Sequence, residues 1–188
     1  MRQTDFKYLK VIGWGWIYLS TIRDDYFRYV IAWKQCTTLM ASDATDTQRL
    51  ALSASGLDSA TVRHRPRLLS DNGSSCIATE LGDELDGKGM DHVRGAPCHP
   101  LTQDKIERWH QMMRNRALPE HDYLPGDLEA HIDAPAWHYN HRRYHESLAN
   151  VTPADAYFGR AASVLNKRAA IKQQTMTKRR LLHAKVAV

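Results

Sequence analysis

The chain has 188 residues, of which 43% are hydrophobic and 25% are charged, and this predicts one globular domain with its own core. Its three cysteines, Cys36, Cys76 and Cys98, are odd in number and form no C-x-x-C pair, which argues against a disulfide framework and a thiolate zinc site. No segment has the length and apolar character of a membrane span or a secretory signal, so we expect a cytoplasmic protein with no membrane partner.

The formal net charge of +5 is concentrated at the carboxyl end of the sequence. Residues 160–188 contain eight Lys or Arg and no Asp or Glu, whereas residues 1–159 contain 18 basic and 21 acidic side chains. A cationic segment attracts polyanions through counterion release, which makes nucleic acid a reasonable partner. The alternative is a solvated, partly helical terminus that only increases solubility.

The first part of the chain has the pattern of strands. Residues 3–9 alternate between two faces, which predicts a strand with Asp5 projecting from one of them. Residues 15–22 and 26–33 are rich in aromatic and β-branched side chains and lie on either side of a short polar segment, which predicts a β-hairpin.

Beyond residue 40, helices and strands alternate. Three strands followed by this alternation indicate an α/β fold with a mixed sheet. Pro135 removes a backbone N–H inside the last predicted helix and is expected to kink or divide it. The predicted elements are helix 42–55, strand 66–69, helix 76–87, strand 90–94, helix 103–118 and helix 125–143.

Three acidic residues occupy positions from which they could act together. Asp5 is on the first predicted strand, Asp71 follows a later strand, and Glu107 is early on a helix, with thirty-five residues between the last two. Each acid taken alone is more often an ordinary surface residue, because Asp-Asn-Gly is a common turn and helix surfaces are rich in Glu. The segments around the acids carry the stronger signal.

These segments resemble the catalytic blocks of a known family. Three segments are similar to the three catalytic blocks of the insertion-sequence transposases of the D-D-35-E type, which are related to retroviral integrases. The segments are Gln3-Thr4-Asp5-Phe6, Leu69-Ser70-Asp71-Asn72-Gly73-Ser74 and residues 99–108. A fourth block, residues 139–154, resembles the carboxy-terminal part of the same domain. The resemblance runs from about residue 2 to residue 160.

The resemblance implies a ribonuclease H-like α/β fold, with a central mixed five-stranded sheet flanked by helices. It places an integrase or transposase catalytic core at residues 2–160, followed by a basic, helical extension at residues 161–188. The implied activity is metal-dependent cleavage of DNA 3′ ends and strand transfer in transposition. The implied partners are transposon-end and target DNA and, in the active state, further copies of the chain.

Divalent metal chemistry explains the three carboxylates. Two-metal phosphoryl transfer uses one ion to activate the attacking oxygen and a second to stabilise the leaving oxygen. Mg²⁺ or Mn²⁺ prefers oxygen ligands. The resemblance therefore implies two ions, with Asp5 shared between them, Asp71 completing one site and Glu107 the other.

Polar and cationic side chains near the acids are candidate nucleic-acid contacts. Lys105 and Arg114 have the charge to hold phosphates, and the neutral polar residues have the donors and acceptors to orient substrate. The candidate nucleic-acid-binding residues are Asn72, His99, Gln103, Lys105, Gln111 and Arg114.

The sequence also departs from the family pattern. Family members usually carry an amino-terminal helix-turn-helix region, whereas this chain begins four residues before Asp5, so we expect a truncated or decaying copy that lacks sequence-specific end recognition. Leu101 and Asp104 stand where the family tends to have a polar residue and glycine. Two other functions stay open: a catalytically inactive remnant that binds DNA or dimerises, and a ribonuclease H-like nuclease, since the fold alone does not determine function.

Overall fold

A computed structural model describes residues 1–11, 15–61, 64–73, 79–95, 104–117 and 125–186. Within these residues the helices and strands up to residue 141 follow the predicted order, whereas the 3-10 helix and the short helix at Pro153–Tyr157 were not predicted. The elements are β1 (Arg2–Val11), β2 (Gly15–Asp24), β3 (Val30–Cys36), α1 (Ala41–Ala54), β4 (Leu68–Ser70), α2 (Thr79–Gly87), β5 (His92–Arg94), α3 (Asp104–Ala117), α4 (Pro125–His141), a 3-10 helix (Glu146–Leu148), α5 (Pro153–Tyr157) and α6 (Ala161–Val186).

The strands form one five-stranded sheet with the order β3-β2-β1-β4-β5. The hairpin pairs are antiparallel, whereas β1 with β4 and β4 with β5 are parallel. The predicted α/β class and mixed five-stranded sheet are therefore confirmed. In this order β1 lies at the centre, between the antiparallel and the parallel halves of the sheet.

Apolar side chains of the helices pack against the sheet. One buried cluster joins α1, α2 and β4 through residues that include Leu52, Leu68 and Leu81. Helix α3 contacts β1, and its buried residues Ile106 and Trp109 recur at helical spacing. This packing places α3 beside the central strand, which is the strand that carries Asp5.

One local expectation was wrong, and a second was wrong in part. The second hairpin strand begins at Val30 rather than residue 26, because the chain turns first: the Phe27 N–H donates to Asp24 Oδ1 at 2.7 Å, and Arg28 has a φ of 61°. Pro135 does not divide α4, which is one helix from Pro125 to His141, and the expected kink stays a prediction. The expected cost of about 3 kcal/mol for an internal proline is opposed by burial of the helix's apolar face, which includes Leu128, Ile132 and Ala136.

The chain divides into two compact units, Met1–His138 (unit 1) and Tyr139–Val188 (unit 2). In unit 2, Thr152 caps α5 by accepting a hydrogen bond from the Asp155 N–H at 3.1 Å. Helix α6 begins at Ala161, where the basic extension was predicted to start, and the division into domains at that residue stays a prediction. In the described ranges, no helix is both long and apolar enough to cross a membrane.

Candidate active site

The three predicted catalytic acids line one open pocket in unit 1, with a volume of about 580 Å³. Strand β1, the residue that follows β4, and the first three turns of α3 form its walls. The lining residues are Asp5, Phe6, Lys7, Tyr8, Asp71, Asp104, Glu107, Arg108, His110, Gln111 and Arg114.

Asp5 and Asp71 come together because of the parallel pairing of β1 with β4. The last residue pair in that register is Gln3 with Leu69. Asp5 and Asp71 are each two residues beyond this pair, and neighbouring strands are about 4.8 Å apart. Both carboxylates therefore lie at the edge where the two central strands stop pairing.

A tight turn holds the Asp71 carboxylate. The Gly73 N–H donates to Asp71 Oδ1 at 3.0 Å, and a Cβ at Gly73 would lie 3.0 and 3.1 Å from the two carboxylate oxygens. The Asn72 side-chain amide donates to the Gly95 carbonyl oxygen at 3.0 Å, so the turn is also tied to the end of β5. These contacts give each residue of the Asp-Asn-Gly sequence a structural role in the turn.

Glu107 lies on the first turn of α3, and its side chain is exposed. Its neighbours Ile106 and Trp109 are buried, so the helix is anchored on the side away from the pocket. Gln111 and Arg114 follow Glu107 by four and seven residues, which puts all three on one helix face. This face brings an amide and a guanidinium group to the pocket that holds the acids.

His110 was not among the predicted site residues. Its side chain is only 1% exposed, and its Nδ1 lies 3.2 Å from Asp5 Oδ2. The second oxygen of Asp5, Oδ1, accepts a hydrogen bond from the Phe6 N–H at 2.8 Å. Its spacing of three residues from Glu107 was a sequence signal that the two side chains lie on neighbouring parts of one helix face. The sequence around His110 did not indicate that its imidazole contacts the first strand.

The other predicted nucleic-acid contacts have different positions. Gln111 and Arg114 line the pocket, whereas Lys105 does not: its Nζ lies 2.8 Å from Asp25 Oδ1 and 3.1 Å from the Asp25 carbonyl oxygen. Residues two positions apart on a helix do not share a face, so Lys105 points away from the side that carries Glu107. Asn72 makes the contact to Gly95 described above. His99 and Gln103 lie outside the described residues.

The acids fit divalent metal in donor type. Carboxylate oxygens are the ligands that Mg²⁺ and Mn²⁺ prefer. Among the residues that the structure describes, however, no group of three His, Cys, Asp or Glu side chains is arranged closely enough to hold an ion. Carboxylates that share a pocket repel each other, and a divalent cation between them would offset that repulsion.

Charged neighbours also determine the electrostatics of the pocket. Lys7, Arg108 and Arg114 bring positive charge to its walls. Asp104, the first residue of α3, forms an ion pair with Arg108 one turn later. This pair places an additional carboxylate in the pocket and neutralises one of its cations.

The chain matches family models described as integrase core domain over residues 1–100 and over residues 88–153. The matches together run from the first strand to the start of α5. The residues around Asp5 and Asp71 lie in the first match, and Glu107 lies in the second.

Three solved structures show the same fold. A chain of the simian T-cell lymphotropic virus intasome, solved in complex with PP2A regulatory subunit B56 gamma, has a TM-score of 0.69 and 16% identity over 82% of this chain and 52% of that chain. The HTLV-2 integrase catalytic core domain in complex with magnesium has a TM-score of 0.64 and 16% identity, with 82% and 93% of the two chains covered.

The catalytic core domain of BIV integrase has a TM-score of 0.60 and 18% identity, with 87% and 97% covered. The chain spans about half the length of the intasome chain and nearly all of each isolated core domain. These similarities confirm the ribonuclease H-like fold expected from the sequence.

Proposed function

The chain belongs to the integrase core domain family, and from this premise we propose that it is the catalytic core of an insertion-sequence transposase, which cleaves DNA 3′ ends and joins them to target DNA. The observation that carries the proposal is the shared pocket of Asp5, Asp71 and Glu107. Three carboxylates, an amide and a guanidinium group in one open pocket suit a phosphodiester substrate and a divalent metal.

The chain's own residues have distinct roles in this proposal. Asp5, Asp71 and Glu107 would hold two Mg²⁺ or Mn²⁺ ions, which when bound supply activation of the attacking oxygen and stabilisation of the leaving oxygen. Arg114 and Gln111 bind and orient the DNA backbone from the helix face that carries Glu107. The reaction is a direct exchange at phosphorus: a water or 3′-hydroxyl oxygen forms the new P–O bond as the old P–O bond breaks.

His110 is a positioning residue in the same proposal. Its imidazole is buried behind the pocket and lies against Asp5 Oδ2, so it limits the rotation of that carboxylate. The Phe6 N–H holds the other oxygen. Asp5 is therefore kept in one orientation before substrate binds, which reduces the conformational entropy lost when the site assembles.

The proposed partners are transposon-end and target DNA and other copies of this chain, acting in the bacterial cytoplasm. The HTLV-2 integrase core was solved in trimeric and dimeric forms with magnesium, and the simian virus structure is an intasome. We extend both assembly and metal use to this chain as part of the proposal.

A second candidate is an inactive remnant that binds DNA. It is favoured by one observation, the presence of Asp104 in the pocket beside the three acids. A further carboxylate in the pocket repels a scissile phosphate.

The test is nicking of supercoiled plasmid by the full chain with Mg²⁺, with Mn²⁺ and with EDTA. We expect metal-dependent nicking that Asp71→Asn lowers at least about 100-fold, equivalent to about 2.7 kcal/mol of activation free energy. The matched control is Asp91→Asn, since Asp91 is exposed and does not line the pocket. It should keep full activity.

Each alternative has its own outcome in this experiment. Equal activity of wild type and Asp71→Asn contradicts the assignment of the pocket. DNA binding without nicking in either metal supports the inactive remnant. Faster cleavage of an RNA–DNA hybrid than of plasmid supports a ribonuclease H-like nuclease.

A further inference from the structure

Helix α6 is a long cationic helix in unit 2. Its 26 residues include seven Lys or Arg and no Asp or Glu. From residue 169 to residue 184 every side chain is exposed. Such a helix is not held by burial of an apolar face, so its charges are available to a partner.

The cations are concentrated on one side of α6. At about 100° per residue, five of the six cations whose side chains the structure describes fall within an arc of about 140°. The opposite side carries neutral residues such as Ala170, Gln173 and Thr177. Arg180 is outside the arc. The five residues, which we call the basic face, are Lys167, Arg168, Lys172, Lys178 and Arg179.

The start of α6 fixes how the helix is rotated within unit 2. Arg168 donates from Nη1 to the Asn150 carbonyl oxygen at 2.6 Å, and its guanidinium carbon lies 5.0 Å from the centre of the Tyr144 ring. Val164, one turn earlier, is half-buried. These contacts hold the first turns against the unit, and Lys172, Lys178 and Arg179 extend the same face into solvent.

The pattern favours a regular polyanion over an apolar partner. The exposed apolar residues of α6 do not form one face but lie in three separate stripes along the helix. One stripe holds Leu165 and Met176, the second holds Ile171 and Leu182, and the third holds Leu181. A membrane-surface helix or a coiled-coil helix requires a single apolar face. The helix is also roughly 39 Å long at about 1.5 Å per residue, which is close to one turn of duplex DNA at about 34 Å.

We propose that the basic face of α6 is a binding surface for the phosphate backbone of duplex DNA, independent of sequence. The surface consists of unit 2 residues alone and requires neither the acids nor a metal ion. It would retain the chain on DNA whether or not the pocket in unit 1 is active.

The test compares two triple variants of the full chain for binding to a labelled DNA duplex of about three turns. The first is Lys172→Gln/Lys178→Gln/Arg179→Gln. The second loses the same charge from exposed positions of unit 1 that do not line the pocket: Lys10→Gln/Arg67→Gln/Lys88→Gln. Binding is measured in EDTA over a range of salt concentrations, with circular dichroism to confirm that both variants keep their helices.

We expect the first variant to flatten the dependence of affinity on salt. Each lost phosphate contact reduces the slope of log K against log[salt] by about 0.9. Between about 50 and about 200 mM salt, the fall in affinity of a variant that lacks three contacts should therefore be about 40-fold smaller than that of the wild type. The second variant should keep the wild-type slope.

Three results would overturn the proposal. Equal changes in the two variants mean that only net charge matters, and an unchanged slope in the first variant means that the basic face does not contact DNA. A loss of binding to phosphatidylserine vesicles with DNA binding intact would identify a lipid surface instead. Because no metal is present, these results are separate from success or failure of the nicking assay.

Discussion

Asp5 on β1 lies directly opposite Thr21 on β2 in the antiparallel register, and the buried imidazole of His110 reaches both. His110 Nδ1 lies 3.2 Å from Asp5 Oδ2, and Nε2 lies 3.1 Å from Thr21 Oγ1. Because Glu107 is one turn earlier on the same helix, the imidazole links the positions of two of the three acids of the pocket.

This relationship predicts a graded effect of substitutions at His110. Asparagine places its amide near the position of Nδ1 and glutamine near that of Nε2, so His110→Asn keeps a group beside Asp5 whereas His110→Gln keeps one beside Thr21. We expect His110→Asn to retain more Mg²⁺-dependent nicking and tighter Mn²⁺ binding than His110→Gln. His110→Ala should lose most of both, and roughly 1–3 kcal/mol of stability, because it leaves the buried Thr21 hydroxyl without this partner.

The measurements are plasmid nicking, Mn²⁺ affinity by electron paramagnetic resonance, and thermal melting. Thr21→Val is the control for loss of the Nε2 contact alone and should affect stability more than metal affinity. Equal Mn²⁺ affinity of the asparagine and glutamine variants would show that His110 supports the fold without positioning Asp5.

A second prediction concerns Gly73. In Gly73→Ala the added methyl group would lie 3.0 and 3.1 Å from the oxygens of Asp71, which is too close, so the carboxylate must move. We expect at least a tenfold loss of nicking with a change in stability of only about 1 kcal/mol or less, since the turn is on the surface.

Gly82→Ala is the matched control for this variant. A Cβ at Gly82 meets no atom within 4 Å, and the residue lies inside α2. Alanine there should raise stability by about 0.4–1 kcal/mol and leave nicking unchanged. Wild-type activity in Gly73→Ala would mean that the orientation of Asp71 is not critical.

A third prediction is that Asp104 limits whatever activity the chain has. Its carboxylate lines the pocket and forms an ion pair with Arg108. It therefore repels a phosphate and also neutralises a guanidinium group that could otherwise bind one. Asp104→Asn removes the charge at the first residue of α3. Asp104→Gly removes the same charge and also lowers the helix propensity there.

We expect both Asp104 variants to raise Mg²⁺-dependent nicking several-fold, and only the glycine variant to lower the melting temperature clearly. Paired nicking and melting assays on the same preparations test this. A fall in the activity of both variants would show that Asp104 supports the site instead of limiting it.

A fourth prediction is a loss of stability in mild acid through His92. Burial lowers the pKa of His92 below its ordinary value of 6.5, and the positive charge of Arg94 lowers it further. The native state therefore holds the neutral imidazole, whose Nε2 lies 2.8 Å from the Ser70 hydroxyl oxygen next to Asp71. As the pH falls, His92 of the unfolded chain binds a proton before His92 of the folded chain does. The free energy of unfolding is therefore undiminished above pH 6.5 and decreases as the pH falls from 6.5 through the lowered pKa.

Urea unfolding at several pH values between neutral and mildly acidic conditions measures this effect. His92→Gln should reduce the dependence of the free energy of unfolding on pH. An identical pH dependence in wild type and His92→Gln would assign the acid sensitivity to other groups.

The sequence alone determined the order and kind of the secondary-structure elements from β1 to α4. Alternation in residues 3–9 and the two β-rich segments predicted β1, β2 and β3. These features depend on neighbours a few residues away, so a local pattern is sufficient to identify them. The motif blocks also placed Asp71 after a strand and Glu107 early on a helix.

Tertiary structure decided which side chains meet. Only the parallel register of β1 with β4 puts Asp5 and Asp71 at the same edge, and only the packing of α3 on β1 brings His110 to Asp5. The same packing directs Lys105 to Asp25, eighty residues away in sequence, and burial of one face keeps α4 continuous through Pro135. These outcomes depend on contacts between distant segments, whose relative positions are set by burial of the whole core, and no short stretch of sequence contains that information.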